Sequence, residues 1–319
     1  FTDKVTSPPE SKRYYTEKFI YLPNHFFSKG HAVQNEVVPP RHEYTPRKVP
    51  YEIGHGSPQE NRCMATGIAK PTFVFCNFNK FLKNNPETMR SWMRILKETP
   101  GSILCLLENP QTGLNYLKRF VHEAAGEPTT PFIDPETKEE RPDFIPKSGE
   151  MLNNRIHFLP WERSPFDHQQ RNHDFCNVML DSHPYNGHTV AQDALYGGVP
   201  IVTRSDGEDM SSRVTTSANA VLGLEELNAY NGPKQYEDIA IKLATDEDYY
   251  KGIRTKLVDT ALQRNPMHPY WDAARYVRNV ESGLFQAWDR YLSGLEPEEI
   301  TVVESEETAR GTYDDYLDQ

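Results

Sequence analysis

The sequence predicts an α/β fold with a Rossmann-like, doubly wound parallel sheet, followed by C-terminal helices. Short apolar runs alternate along the chain with segments whose apolar residues recur at helical spacing. Such alternation is typical of βαβ units, in which a helix connects two parallel strands. The chain has 319 residues, of which 37% are hydrophobic, so it is long enough to bury a large core.

The first 69 residues are predicted to form an extended surface connection. They are rich in proline, histidine and charge, above all in the stretch "VVPPRHEYTPRKVPYEIGHGSPQE". Stretches of this composition rarely pack as regular elements. The packed domain is therefore expected to begin near residue 70 and to end near residue 295.

Within residues 70–295, each predicted element has its own pattern. "PTFVFCNF" reads as a buried strand, and "NPETMRSWMRILKET" as a helix that turns Trp92, Ile95 and Leu96 toward the core. "GSILCLLE" predicts the second strand and "GLNYLKRFVHEAA" the second helix. Residues 126–150 are rich in proline and charge, so they are expected to form an inserted surface loop.

The alternation then resumes and gives way to helices. The next elements are predicted to be the strand "NRIHFLP", the helix "SPFDHQQRNHDF", the strand "VMLD", the helix "HTVAQDALYGG" and the strand "VPIVT". From Ser211 the pattern is mostly helical, up to "YWDAARYVRNVESGLFQAWDRYLSG". Residues 296–319 are acidic and poor in core residues, which predicts a solvated or disordered tail.

Charge and cysteine content exclude several classes of function. A net charge of -11 and an isoelectric point near 5.5 argue against a nucleic-acid surface. The four cysteines are far apart and form no CxxC pair, so reduced, mostly buried thiols are expected. The apolar runs are too short to cross a bilayer, and no signal-peptide pattern is visible, which favours a cytoplasmic or nuclear location. The sequence begins at Phe1, so an excised part of a longer protein is an open alternative.

The stretch "PYNGHTVAQDALYGG" is a candidate phosphate site because it joins the strand "VMLD" to a helix. Ligands bind beyond the carboxyl ends of parallel strands, where helix N-termini offer free N–H groups. Gly187 would admit a bulky anion, His188 and Thr189 add donors, and the Asp193 carboxylate could accept hydrogen bonds from ribose hydroxyls. From these residues alone, an ordinary Asn-Gly turn before a helix is an equally open alternative.

Four segments, in order, resemble the C-terminal catalytic half of the O-linked N-acetylglucosamine transferase family. They are "VFCNFNKFLKNNPETMRSWMRILKETPGSILCLL", "NRIHFLP", "VMLDSHPYNGHTVAQDALYGGVPIVT" and "SSRVTTSANAVLGLEELNAYNGPKQYEDIAIKLATD". "YYTEKFIYLPNHFFSKGHA" resembles the end of the family's N-terminal half. The resemblance implies one half of a GT-B glycosyltransferase that transfers N-acetylglucosamine from UDP-GlcNAc to Ser and Thr hydroxyls with inversion. It also implies no metal and no cofactor besides the donor substrate, and no Asp-x-Asp motif is evident near the site.

The resemblance assigns a catalytic role to one lysine. Lys83, in "CNFNKFLK", matches the family lysine that contacts the diphosphate and stabilises the UDP leaving group. A fixed ammonium helps most where negative charge develops, which is the β-phosphate. Lys80 stands where the family has glutamine, so the resemblance implies a diphosphate contact through charge instead of an amide hydrogen bond.

The resemblance also assigns the base-binding residues. His168 matches the histidine that stacks on uracil, and Arg171 follows at the spacing of a basic residue lining that pocket. His173 is a rival for the stacking role because the segment before "VMLD" is slightly longer than in the family. The family lysine expected just before the stacking histidine is absent, and Arg163 is its candidate substitute.

The remaining donor-binding residues match the entrance of the helix that follows "VMLD". His188 and Thr189 match the family's phosphate contacts, and Asp193 matches its ribose carboxylate. Val190 replaces a threonine, so only its backbone N–H is expected to contribute.

Two other functions remain open from the sequence. "SHPYNG" resembles the related SPINDLY type, which transfers fucose from GDP-fucose, whereas "NGHT" and "SSRV" resemble the GlcNAc type. The departures at Lys80 and Val190 favour a non-catalytic nucleotide-binding or structural module. The expected partners are protein acceptors, an N-terminal catalytic half and tetratricopeptide repeats on the same or another chain. Neither nucleic acid nor membrane is expected as a partner.

Overall fold

The computed structural model of the chain describes most of its residues. They are residues 1–27, 30, 73–110, 113, 114, 117, 120, 121, 132, 133, 140, 141, 155–161, 168, 169, 171–173, 176–262 and 267–304. The described strands are β1 (Ile20–Tyr21), β2 (Phe73–Asn77), β3 (Ser102–Leu107), β4 (Phe132–Ile133), β5 (Glu140–Arg141), β6 (Ile156–Leu159), β7 (Val178–Leu180), β8 (Ile201–Arg204), β9 (Asn228–Ala229) and β10 (Ile300–Thr301). The described α-helices are α1 (Pro86–Glu98), α2 (Thr189–Tyr196), α3 (Val214–Val221), α4 (Gly232–Thr245), α5 (Glu247–Leu262) and α6 (Ala273–Leu292).

The main sheet has six strands in the order β6-β3-β2-β7-β8-β9, and every neighbouring pair is parallel. From β2 the chain moves outward through β3 to β6, then returns to the other side of β2 and continues through β7, β8 and β9. This is the doubly wound Rossmann order, whose ligand crevice lies where the strand order reverses. The predicted fold class is confirmed, and the reversal lies between β2 and β7.

Helix α1 shows how local sequence signals place an element on this sheet. It begins after Asn85, whose side chain accepts a hydrogen bond from the Thr88 amide. An N-cap of this kind satisfies one of the amides that have no partner within the helix. Trp92, Ile95 and Leu96 are fully buried, as their spacing predicted. The helix therefore fixes the position of the loop that connects it to β2.

The N-terminal segment differs from the extended connection that the sequence predicted. Within residues 1–27, positions on both sides of the exposed residues 12–18 are buried, and β1 pairs in parallel with β10 near the other end of the chain. Leu22 joins Ile300 and Val302 in a second apolar cluster, against which side chains of α6 pack. The proline-rich stretch that carried the prediction, residues 37–60, lies outside the described residues.

Residues 296–304 also differ from the prediction, which was a solvated or disordered acidic tail. In this range β10 pairs with β1, and the Glu304 carboxylate forms an ion pair with Arg275 of α6. The Asn279 side chain donates a further hydrogen bond to Glu304 across 2.7 Å. Pairing with a distant strand and with a basic helix explains why these residues are ordered. Residues 305–319 lie outside the described residues.

The predicted inserted loop and the second predicted helix are described only in part. Within residues 126–150, only β4 and β5 are described, and they form an antiparallel pair. Within "GLNYLKRFVHEAA", residues 114, 117, 120 and 121 are helical. No helix in the described parts of the chain is both long enough and apolar enough to cross a membrane.

Two of the cysteines correct the expectation of reduced thiols. Cys76 on β2 and Cys176 just before β7 are paired as a disulfide, with their Cα atoms 5.8 Å apart. They are 100 residues apart in sequence, so only the adjacency of the two strands brings them together. Cys105 is a free, buried thiol, and Cys63 lies outside the described residues.

Candidate functional site

The candidate site lies at the reversal of the strand order, where the loops after β2 and β7 meet. Lys83 ends a short 3₁₀-helix, Phe81–Lys83, that follows β2. Its ammonium donates a hydrogen bond to the Asn186 carbonyl oxygen across 2.7 Å. Partial burial lowers the pKa of Lys83, and the nearby Asp181 carboxylate raises it again in part. The predicted catalytic lysine is therefore held against the predicted phosphate-binding loop.

The Asn186 carbonyl is a rigid acceptor because the whole residue is fixed. Asn186 is fully buried, and its side chain donates to the Ser182 carbonyl oxygen across 3.0 Å and to the Thr203 hydroxyl across 3.3 Å. Its amide donates to the Ser211 carbonyl oxygen across 2.9 Å. Buried polar groups that are all satisfied in this way specify one arrangement of the loop.

Asp181, the residue directly after β7, closes the same loop. Its buried carboxylate accepts hydrogen bonds from the Gly187 amide at 2.7 Å, the Ser182 amide at 2.9 Å and the Thr203 hydroxyl at 3.0 Å. Burial raises the pKa of Asp181 to about 6, although hydrogen bonds from Thr215, Gly187 and Thr203 and the charge of Lys83 lower it. From the sequence, Asp181 was predicted only as the end of a strand. A carboxylate directly after an apolar strand was the available signal.

The structure gives Gly187 a different role from the predicted one. Its amide is engaged by Asp181, so this N–H does not face a ligand. A Cβ at this position would lie 2.9 Å from the Met179 terminal methyl and 3.3 Å from the Asn79 side-chain nitrogen. The close packing of the loop on β7 therefore accounts for glycine at this position.

The entrance of α2 supplies the predicted helix N-terminus. His188 is its N-cap residue, and the Gln192 amide donates to the His188 carbonyl oxygen across 3.2 Å. The amides of Thr189 and Val190 precede that bond and have no intrahelical acceptor by position. Thr189 is exposed, whereas the Val190 side chain packs against the main core. Val190 can therefore offer only its backbone amide, as its replacement of threonine implied.

His188 belongs to an aromatic group that the sequence analysis did not anticipate. Its ring stacks on Tyr185, with centroids 4.9 Å apart and planes inclined by 25°. The Phe27 ring, from the N-terminal segment, lies 5.9 Å from His188. The Lys83 ammonium lies 4.2 Å from the centre of the Tyr185 ring. Desolvation, and then the charge of Lys83, lower the pKa of His188, which favours the neutral imidazole.

His168 and Asp193, the predicted base-stacking and ribose residues, are neighbours. The His168 Nε2 atom lies 3.4 Å from an Asp193 carboxylate oxygen. Because a guanidinium only donates, the 3.0 Å contact between Arg171 and His168 Nδ1 makes Nδ1 the acceptor and leaves the proton on Nε2. Desolvation, with a contribution from Arg171, lowers the pKa of His168 to about 4. A neutral, flat ring is thus held beside a carboxylate.

Arg171 lies behind His168 instead of lining an open pocket. It is only 5% exposed, donates to the Pro160 carbonyl oxygen across 2.6 Å, and places its guanidinium 4.4 Å from the centre of the Phe78 ring. Its position suits it to orient His168. The rival His173 is 4% exposed, so His168 is the better placed of the two to stack on a base.

Two predicted residues remain, Lys80 and Arg163. Lys80 is exposed and precedes the short helix that carries Lys83. Arg163 lies outside the described residues. Across the described ranges, no group of three or more His, Cys, Asp or Glu side chains is arranged to hold a metal ion.

Comparisons with known proteins give a consistent family. The model of glycosyl transferase family 41 matches residues 59–141 and 144–280, which is more than half of the chain. The probable UDP-N-acetylglucosamine–peptide N-acetylglucosaminyltransferase SEC of Arabidopsis thaliana is 28% identical over 309 residues, covering 96% of this chain and 26% of the relative. The UDP-N-acetylglucosamine–peptide N-acetylglucosaminyltransferase of Caenorhabditis elegans is 32% identical over 229 residues, covering 72% of this chain and 17% of the relative.

A SPINDLY protein and a solved structure are also similar. The probable UDP-N-acetylglucosamine–peptide N-acetylglucosaminyltransferase SPINDLY of Solanum lycopersicum is 28% identical over 297 residues, covering 93% of this chain and 26% of the relative. A mutant of the Thermobaculum terrenum O-GlcNAc transferase superposes with a TM-score of 0.59 at 23% identity, over 88% of this chain and 43% of that chain. This likeness supports the fold as one Rossmann-like half of a GT-B glycosyltransferase. The chain spans about a quarter of the length of the SEC and SPINDLY relatives.

Proposed function

Since the chain belongs to glycosyl transferase family 41, we propose that it is the donor-binding half of a protein O-glycosyltransferase. The donor would be UDP-GlcNAc, the acceptors Ser and Thr hydroxyls of proteins, and the transfer inverting and independent of metal. The observation that carries the proposal is the hydrogen bond from Lys83 to the Asn186 carbonyl oxygen at the reversal of the strand order.

The diphosphate would be bound at the entrance of α2. The amides of Thr189 and Val190 and the positive end of the helix dipole suit a phosphate there. An ammonium has three N–H donors, and Lys83 uses one of them on Asn186. Lys83 can therefore donate to the diphosphate without leaving its acceptor. A charge fixed in advance costs no reorganisation when the sugar–phosphate bond breaks and negative charge forms on the β-phosphate.

The nucleoside would lie along His168 and Asp193. A neutral imidazole offers a flat surface for uracil, and the adjacent carboxylate can accept hydrogen bonds from ribose hydroxyls. The neutral state of His168 also avoids a buried cation that would compete for the carboxylate. These two residues would set the distance between the base and the diphosphate.

The acceptor side of the reaction would come from outside the described residues. Donor and acceptor must be held together for transfer, which in a GT-B enzyme requires both halves of the cleft. The chain is therefore expected to bind the donor on its own but to transfer sugar poorly. A longer protein that carries the N-terminal half would transfer, and a purely structural module would not transfer in either form.

One observation favours the SPINDLY alternative. Tyr185 contacts both Lys83 and His188, the proposed phosphate-binding side chains, and it belongs to the "SHPYNG" segment that resembles the SPINDLY type. Competition between UDP and GDP for this chain tests the two donors directly. We expect UDP to bind at least ~10-fold more tightly, a difference of about 1.4 kcal/mol. The reason is that guanine needs more room and leaves groups that would bind uracil unpaired. Tighter binding of GDP would replace the proposal with a GDP-fucose-dependent enzyme.

A further inference from the structure

We propose that Tyr185 is a positioning residue that holds the Lys83 ammonium and the His188 imidazole at the reacting end of the bound donor. The inference rests on the proposed function and goes beyond it, because neither the sequence patterns nor the comparisons assign a role to this side chain. It concerns the ring of Tyr185 and not its hydroxyl.

The geometry singles out the ring because it contacts both proposed phosphate-binding side chains. The Lys83 ammonium lies 4.2 Å from its centre, within the range of a cation–π contact. The His188 ring is stacked on it at 4.9 Å. These contacts link the segment after β2 to the N-cap residue of α2.

Core packing does not account for this side chain. Tyr185 is 45% exposed, although the next residue, Asn186, is fully buried. In the described parts of the chain its hydroxyl makes no hydrogen bond, so the phenyl ring is the part with a structural role. An exposed aromatic ring at this place contributes little to the core but limits where two neighbouring side chains can move.

Lysine needs such a restraint more than most side chains. Its ammonium is a point charge on a flexible four-carbon stem. One hydrogen bond, to the Asn186 carbonyl oxygen, fixes its distance from that oxygen but not its direction. The face of an aromatic ring attracts the cation and removes orientations that point away from the phosphate. A restraint of this kind should matter most when charge develops on the leaving group.

The test compares Tyr185→Leu and Tyr185→Phe with Tyr291→Leu as a matched control. Tyr291 lies on α6, is 70% exposed and stacks on Trp288, so its replacement also removes an exposed, stacked ring. Transfer kinetics are measured in a protein that joins this chain to an N-terminal catalytic half, as the proposed function requires. Binding of UDP and of UMP to this chain is measured by calorimetry, since the two ligands differ by the β-phosphate.

We expect Tyr185→Leu to lower kcat by about 3- to 30-fold while KM for UDP-GlcNAc changes by less than about 3-fold, in line with the strength of a cation–π contact. Tyr185→Phe should recover most of kcat, and Tyr291→Leu should match the wild type. In the isolated chain, Tyr185→Leu should reduce the preference for UDP over UMP.

Three results would contradict the inference while leaving the proposed function intact. The first is that the wild-type chain binds UDP, but Tyr185→Leu has the same kcat and the same preference for UDP over UMP as the wild type. The second is a loss in Tyr185→Phe as large as in Tyr185→Leu, which would assign the role to the hydroxyl. The third is an equal loss in Tyr291→Leu. A wild-type chain that binds no UDP would instead overturn the proposed function.

Discussion

The Lys83 ammonium and the Asn186 carbonyl oxygen, 103 residues apart in sequence, are joined by a 2.7 Å hydrogen bond. The bond connects the loops after β2 and β7, the two strands between which the strand order reverses. Asn186 is itself fixed by hydrogen bonds to Ser182, Thr203 and Ser211. The cation is therefore placed before any ligand arrives, which is the condition for electrostatic stabilisation without reorganisation.

Asp181 should make the fold less stable as the pH rises. The pKa of Asp181 is raised by burial from an ordinary 3.8 to about 6, so the folded state binds a proton more tightly than the unfolded state. Below pH 3.8 the carboxyl is mostly protonated in both states; between pH 3.8 and about pH 6 the unfolded state ionises while the folded state keeps its proton, so stability falls across this range and the loss is complete above it. Asp181→Asn removes this dependence.

The measurement is urea denaturation of the wild type and of Asp181→Asn at pH 5 and pH 7. The free energy of unfolding of the wild type minus that of the variant should be about 1 kcal/mol larger at pH 5 than at pH 7. Other titrating groups, including His168, are present in both proteins and cancel in this difference. A difference that stays the same at the two pH values would show that the carboxyl does not titrate in this range.

His168 should contribute to UDP binding through its flat ring. Stacking of an aromatic side chain on a base is worth about 1–3 kcal/mol, so His168→Ala should weaken UDP binding by about 10-fold or more. His168→Phe, which keeps a flat ring, should remain within about 3-fold of the wild type. Both are measured by calorimetry, with inorganic pyrophosphate as the control ligand. If His168→Ala lost pyrophosphate binding to the same extent, its effect would be a general disturbance and not the loss of stacking.

Lys83 should matter more for transfer than for donor binding. In a protein that joins this chain to an N-terminal catalytic half, Lys83→Ala should reduce kcat by about 100-fold or more, the scale seen when a group that stabilises developing charge is removed. KM for UDP-GlcNAc should rise much less, since the charge matters most as the leaving group forms. The control is Lys97→Ala, because Lys97 is an exposed residue in the last turn of α1. Equal losses in donor affinity and in turnover would assign Lys83 to binding alone.

The sequence predicted those parts of the fold that depend on local patterns of apolar residues. The apolar runs gave β2, β3, β6, β7 and β8, and the helical spacing placed Trp92, Ile95 and Leu96 in the core. Strand β9 was missed because its two residues, Asn228 and Ala229, form no apolar run. The packing of residues 1–27 was missed because β1 finds its partner, β10, at the opposite end of the chain.

The sequence indicated candidate site residues by their type, but it did not indicate which of them contact each other. Lys83 and the entrance of α2 were identified, yet the buried carboxylate of Asp181 and the ring of Tyr185 act through residues far away in sequence. Gly187 was predicted as an anion contact, and its close approach to Met179 on β7 was not visible in the sequence because the contact depends on how the loop folds back on the strand. The pairing of Cys76 with Cys176 was likewise hidden by its sequence separation.

The most direct test of the central claim, that this chain holds a metal-independent site for the nucleotide of the donor, is calorimetric titration of UDP into the chain with EDTA present. We expect saturable binding at one site, unchanged when magnesium or manganese is supplied in place of EDTA. That outcome would agree with a diphosphate bound by the entrance of α2 and by Lys83. Absence of UDP binding in EDTA, restored by either metal, would contradict the metal-free site, and absence of binding under every condition would contradict the site itself.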